Sequence, residues 1–122
     1  MGTHPLNLAL RFLLELAAWA SIGYWGWTRG SGWLRPGLAA ALPLLAMALW
    51  SAFAVPGDPS RSGKAPVPVP GWVRLALELI EFGLASWALA DAWRPGWGIA
   101  LGIVVVAHYA LSSDRIAWLL RQ

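Results

Sequence analysis

The sequence predicts an all-α membrane domain, a transmembrane four-helix bundle assembled from two repeated helical hairpins. Three observations predict it. Hydrophobic residues make up 58% of the 122-residue chain and charged residues only 12%, about half the charged share of an ordinary soluble domain. So little polar surface cannot cover a particle in water, so the apolar surface must face lipid. Four apolar segments, each near the roughly 20 residues that cross a bilayer at 1.5 Å per residue, are separated by turn signals. Ionisable residues inside those segments recur at helical spacing in both halves of the chain.

The first segment runs from about Leu6 to Trp27, with Pro5 suited to an opening helical turn. Thr28-Arg29-Gly30-Ser31-Gly32 then breaks it. The second runs over about 36–54, again opening on a proline, and Pro43 inside it predicts a kink and a freed carbonyl. Residues 55–71 form the one substantial loop. Pro56, Pro59, Pro66, Pro68 and Pro70 exclude a helix or a central strand there. The polar stretch Asp58 to Lys64 within it reads as too small to host a site. The third segment covers about 72–93. The fourth covers about 95–114, apolar to Leu111, and continues amphipathically to Arg121. The runs show no period-2 alternation, which excludes a β-barrel. All 122 residues read as one integral membrane domain.

Tryptophans mark the interfaces. Trp25, Trp27 and Trp33 flank the first turn, Trp93 and Trp97 flank the last, and Trp72 and Trp118 belong to the opposite face. Trp19, Trp50 and Trp87 fall inside the spans and are expected to pack. Basic residues give the orientation. Arg61, Lys64, Arg115 and Arg121, joined by Arg11 and Arg74, share the side of the termini and the central loop. Arg29, Arg35 and Arg94 share the other. The bias places both termini and the Pro-rich loop in the cytoplasm, in a multi-pass cell-membrane protein. Ala18-Trp19-Ala20 fits a signal-cleavage pattern, but Arg11 and Glu15 interrupt its apolar stretch, so a retained helix is expected.

Several function classes drop out. The net charge of +3 comes from basic residues scattered at segment ends rather than along a stripe, so nucleic acid is not an expected partner. Cysteine is absent, and His4 and His108 cannot by themselves make a metal cluster. No metal and no cofactor is expected. The phosphate-binding, zinc-protease and nucleophile-elbow motifs are all missing, so the chain does not read as an enzyme.

The halves resemble each other. Arg11-x-x-x-Glu15 matches Arg74-x-x-x-Glu78, and Arg35-Pro36-Gly37 matches Arg94-Pro95-Gly96. Two hairpins in the same orientation imply a pseudo-twofold axis along the membrane normal. Gly98-x-x-x-Gly102 is a face that permits close helix approach.

Arg11, Glu15, Arg74, Glu78, Glu81 and His108 all lie within the expected spans. Each ionisable group there costs about 2.5–3.5 kcal/mol to insert, so such groups face inward and pair. Residues three and four apart share a face. Asn7, Arg11 and Glu15 form one stripe, Arg74, Glu78 and Glu81 a second, and His108, Ser112 and Arg115 a third. With Arg115 left at the interface, two arginines neutralise two of the three carboxylates. The third is expected to be protonated or to share a proton, and Glu81 beside His108 is the candidate. Two readings stay open, ahead of a third in which His108 and Glu81 act as acid and base of an intramembrane enzyme, for which nothing supplies a substrate pocket. In one, the six residues form an ion or small-solute site of a binding or transport module. In the other, they only fix helix packing, or pair with another subunit of a non-catalytic assembly. The expected partners are the lipid bilayer and either further copies of the chain or another membrane protein.

The segments LNLALRFLLELAA and VRLALELIEFGLA, with the proline-bearing second span and the Pro-rich loop between them, resemble the YrdB-like family of small bacterial membrane proteins. The resemblance covers nearly the whole chain. It implies a bacterial origin, four spans and a domain of unknown function, and it brings no catalytic residues. Small multidrug transporters and fluoride channels are similar in size only, since their motifs are absent.

Overall fold

The computed structural model describes residues 1–61 and 64–122. It is all-helical apart from one short strand pair. The helices are α1 (Pro5–Arg29), α2 (Leu34–Ala52), α3 (Gly71–Ala92), α4 (Pro95–Leu111) and α5 (Ser113–Leu120). α1 opens on Pro5 and is capped by His4, whose ring Nδ1 accepts from the Leu6 N–H. α4 also opens on a proline, Pro95.

The fourth segment departs from the expected continuous helix. α4 stops at Leu111, and α5 leaves it at 71°. The break falls at Ser112, whose N–H bonds back to the His108 and Tyr109 carbonyls. The apolar run carried no proline or glycine to announce it. In the loop, Phe53–Ala54 (β1) pairs in parallel with Val67–Pro68 (β2). A two-stranded ladder has only edges, so Pro68 is tolerated where a central strand would reject it.

α1 packs on both α2 and α3, and α3 packs on α4, while α2 and α3 scarcely touch. Several close approaches depend on missing side chains, the tightest at Gly71, where a Cβ would lie 1.6 Å from the Leu119 carbonyl oxygen of α5. A Cβ on Gly26 would lie 2.8 Å from the Leu38 carbonyl oxygen of α2. One on Gly98 would lie 2.5 Å from the Ser86 carbonyl oxygen of α3, whereas at Gly102 the nearest atom would be 3.7 Å away. Only the first glycine of the G-x-x-x-G pair is therefore needed for contact. The core joins Leu14, Ala18, Trp50, Phe82, Ala85 and Tyr109. Its rings meet edge to face, Trp50 with Phe82 at 5.4 Å and Phe82 with Tyr109 at 6.0 Å. Trp19 and Trp50 pack as expected. Trp87 does not: it is 54% exposed and leans on Trp25 at the outer surface.

Polarity is inverted relative to a soluble domain. Arg74 and Glu78 are wholly buried, while Leu44, Ile80, Ile99 and Val106 lie outside. α1 and α2 are long and apolar enough to cross a membrane, and α4 with α5 qualifies only as a bent pair. At 17 residues α4 is short by itself. α3 has the length, at 22 residues. Every span-length stretch of it, however, carries at least three of Arg74, Glu78, Glu81 and Asp91.

Candidate functional site

Glu78 is the hub. It sits on the inward face of α3, one helical turn beyond Arg74, and four side chains donate to it. Arg74 Nε reaches Oε2 at 2.7 Å. Arg11 comes from α1 with both Nη atoms, at 3.3 and 2.8 Å. Arg115 comes from α5 with both Nη atoms at 2.8 Å. The Tyr109 hydroxyl of α4 donates to Oε1 at 2.7 Å. Bidentate guanidinium–carboxylate geometry is the strong form of this interaction. Four helices thus converge on one carboxylate.

Each arginine has further partners. Arg74 Nη1 donates to the Trp50 carbonyl, and to the Phe53 carbonyl at 2.8 Å, which satisfies the end of α2. Arg11 Nε lies 3.4 Å from Glu15 Oε1. The Trp50 ring lies under both guanidiniums, 4.6 Å from Arg74 and 5.3 Å from Arg11. Arg115 also grips Asp58, Nε to Oδ1 at 3.2 Å and Nη2 to Oδ2 at 2.6 Å. Burial would push the Asp58 carboxyl up. The Arg115 hydrogen bonds and charge outweigh it, helped by the Ser60 N–H and hydroxyl, and hold it below the ordinary aspartate range.

Two sequence expectations are corrected here. Arg115, left out of the expected cluster, is 3% exposed at its centre. The polar loop stretch does contribute, through Asp58. Neither was legible. Arg115 lies beyond a bend whose signal, the helix-opening run Ser112-Ser113-Asp114, sits inside a helical pattern that otherwise continues, and a loop aspartate is ordinarily solvated. Nothing in the sequence marked the Tyr109 hydroxyl as a donor.

His108 does not face Glu81. Its Nδ1 is 2.9 Å from Asn7 Oδ1. The Asn7 amide nitrogen donates to the Met1 carbonyl at 3.0 Å and to Ser112 Oγ at 2.8 Å. Asn7 Oδ1 must then be the acceptor, so Nδ1 of His108 carries the proton. The Asn7 and Ser112 members of the first and third stripes therefore do meet. Glu15 opens instead onto a polar crevice shared with Trp50, Ser60 and Arg61.

Glu81 stands apart. Both its carboxyl oxygens are buried and have no hydrogen-bond partner, and the residue is only 5% exposed. It lines a cavity of about 320 Å³ between α1, α2 and α3 whose other lining residues carry no ionisable group. Charge accounting leaves it over. Arg11, Arg74 and Arg115 are matched by Glu15, Asp58 and Glu78 through the pairs just described. Among the described residues, no three His, Asp or Glu side chains are grouped as a metal site requires.

Residues 9–106 match the family described as protein of unknown function, DUF2568. The chain belongs to this family. It is 42% identical over 116 residues to a Bacillus subtilis (strain 168) relative described as uncharacterized protein YrdB, covering 95% of this chain and 94% of that one. The expected YrdB-like membership therefore holds. No solved structure matches the chain. DUF2568 membership brings no activity with it, so function rests on the geometry.

Proposed function

We propose that this DUF2568 protein is a four-span bundle of two repeated hairpins, with both termini cytoplasmic, that binds or transports a small solute at a protonatable intramembrane acid, Glu81. The single observation that carries this reading is the buried carboxyl with neither oxygen partnered. Leaving such a group unpaired costs about 1–3 kcal/mol or more, a cost that a purely structural residue would not impose. The six-residue cluster divides accordingly. Arg11, Arg74 and Glu78 frame the bundle, Glu15 and His108 flank it, and Glu81 supplies the site. The repeat is supported by the two i,i+4 pairs, Arg11 with Glu15 and Arg74 with Glu78.

The alternative, an assembly subunit whose charges mate with another protein, draws less support. Its required cations, Arg11, Arg74 and Arg115, already hold internal carboxylates. Infrared spectroscopy of the purified protein in lipid tests the proposal. A neutral carboxylic acid gives a carbonyl stretch that a carboxylate lacks. The band is expected near neutral pH and should vanish in Glu81→Gln. A spectrum with no band, or one unchanged by the substitution, sinks the reading.

A further inference from the structure

We infer that the polar crevice beside Glu15 holds the headgroup of one anionic phospholipid, a phosphodiester of charge minus one, whose acyl chains lie along α1. The crevice shares no residue with the Glu81 groove. The inference is therefore separate from the solute site and rests only on α1 lying in a bilayer, for which it has the length and apolar character.

Charge points to an anion. The crevice holds about 330 Å³ and is lined by three arginines, Arg11, Arg61 and Arg74, against one acid, Glu15. Arg11 and Arg74 are taken up by Glu15 and Glu78. Arg61 is not. Its Nη2 donates to the Ser51 and Lys64 carbonyls at 3.3 and 3.2 Å, and its Nη1 is buried with no partner among the described residues. No carboxylate there forms an ion pair with it. A guanidinium that meets only neutral carbonyls leaves one positive charge uncompensated, and in a half-buried position that charge acts more strongly than in water.

The walls and the edge point to a lipid. Ser51 and Ser60 line the crevice beside the arginines, and hydroxyls and guanidiniums are the donors that phosphate oxygens take. The ion pair of Glu15 with Arg11 is loose, at 3.4 Å, so its carboxylate can accept from a headgroup hydroxyl. The apolar edge comes from α1. Leu8, Phe12 and Trp19 line it, and the exposed Phe12, Leu13 and Leu16 continue it as an outward apolar face. The crevice lies at the loop end of the bundle, where α2 stops at Ala52. A polar recess at a span's end, beside an apolar helix face, fits an amphiphile whose charge and tails are adjacent. Basic recesses of this kind attract anionic headgroups.

Competing ligands fit less well. A cation would face three guanidiniums. A zwitterionic lipid would bring a positive charge of its own and leave the excess at Arg61 in place. A water-soluble anion would answer Arg61 and make no use of the α1 face.

The test places the full chain in neutral detergent with phosphatidylglycerol and phosphatidylcholine of identical acyl chains at equal concentration. Native mass spectrometry then counts the lipid retained. One phosphatidylglycerol per chain is expected, preferred about fivefold or more, the worth of one cation beside an anionic headgroup. Arg61→Gln should erase the preference and Arg61→Lys should keep it. Arg121→Gln, which removes an exposed cation outside the crevice, should leave it unchanged. Ser51→Trp, at the exposed end of α2, should block the crevice without removing a charge, which covers the case that Arg61→Gln disturbs the loop. Equal retention of the two lipids overturns the inference. So does an equal loss in Arg61→Gln and Arg121→Gln, which would mean diffuse attraction. A preference that survives both Arg61→Gln and Ser51→Trp places the lipid elsewhere and overturns it. Displacement of phosphatidylglycerol by an equal concentration of its deacylated headgroup, glycerophosphoglycerol, would assign the crevice to a soluble phosphodiester and overturn the lipid.

Discussion

Arg115 and Asp58, 57 residues apart, lock α5 to the central loop through two charge-assisted hydrogen bonds, the shorter at 2.6 Å. Asp58 is fully buried there. The pair brings the loop under the helical end of the bundle and orients the guanidinium so that its other edge meets Glu78. One salt bridge thus couples a loop to the hub.

That coupling has a pH signature. The folded Asp58 carboxyl titrates below its ordinary range. Its contribution to stability is therefore complete above the unfolded value of about 3.9, and drains away as pH falls through the lower folded value. Asp58→Asn should lower stability at neutral pH by about 1–3 kcal/mol and flatten the acid limb of the stability curve below about pH 4. Thermal unfolding in detergent from pH 3 to 7 measures both. A variant whose acid limb parallels the wild type would show that Asp58 contributes nothing by its charge.

Removing a hub arginine should be far more damaging than removing a surface one. Arg11→Ala and Arg74→Ala each leave Glu78 short of a partner and should cost about 3–5 kcal/mol. Arg29 pairs with Asp91 at the surface, with about half its side chain exposed, and Arg29→Ala should cost no more than about 1 kcal/mol. Equal shifts in unfolding temperature for the two classes would contradict the hub.

Tyr109→Phe deletes one donor to Glu78 and leaves the ring packed on Phe82. A loss of about 1–2 kcal/mol is expected. Combined with Glu78→Gln, the effect should be clearly less than additive. Strict additivity in that double-mutant cycle would mean the hydroxyl acts elsewhere.

The two glycines of α4 should behave differently. Gly98→Ala drives a methyl into the Ser86 carbonyl and should destabilise by about 1–3 kcal/mol. Gly102→Ala has room and should be neutral or mildly stabilising, since alanine favours the helix. A neutral Gly98→Ala would place the α3–α4 contact elsewhere.

Orientation is open to a direct reading. A reporter active only in the cytoplasm should work when fused after Gln122 and stay silent when inserted at Ser31. The reverse pattern would invert the topology that the basic residues support.

The helices were legible because apolar length and proline position are written locally: Pro5 and Pro95 open helices, and the broken stretch after Thr28 closes one. Charge placement was legible in part. Helical spacing put Arg11, Arg74 and Glu78 on inward faces, and charge balance left one carboxylate over, but the expected pairing of Glu81 with His108 does not form. Which charges pair was not legible, because pairing depends on how helices rotate and where the chain bends. Arg115 could be placed only once the turn at Ser112 swung α5 across the end of the bundle. His108 shares no spacing rule with Asn7, a residue 101 positions away, so nothing local assigned its partner. The exposure of Trp87 follows from the gap between α2 and α3, which is a property of packing.

The 71° bend at Ser112 has a consequence for biogenesis. Arg115 is made after all four apolar segments, yet it belongs at the heart of the domain. Until it emerges from the ribosome, Asp58 lacks its cation and Glu78 has two arginines in place of three. A chain truncated before Arg115 would hold α1 to α4 in full and still carry an unneutralised acid in its loop. That single missing charge is what separates the truncated chain from the finished one.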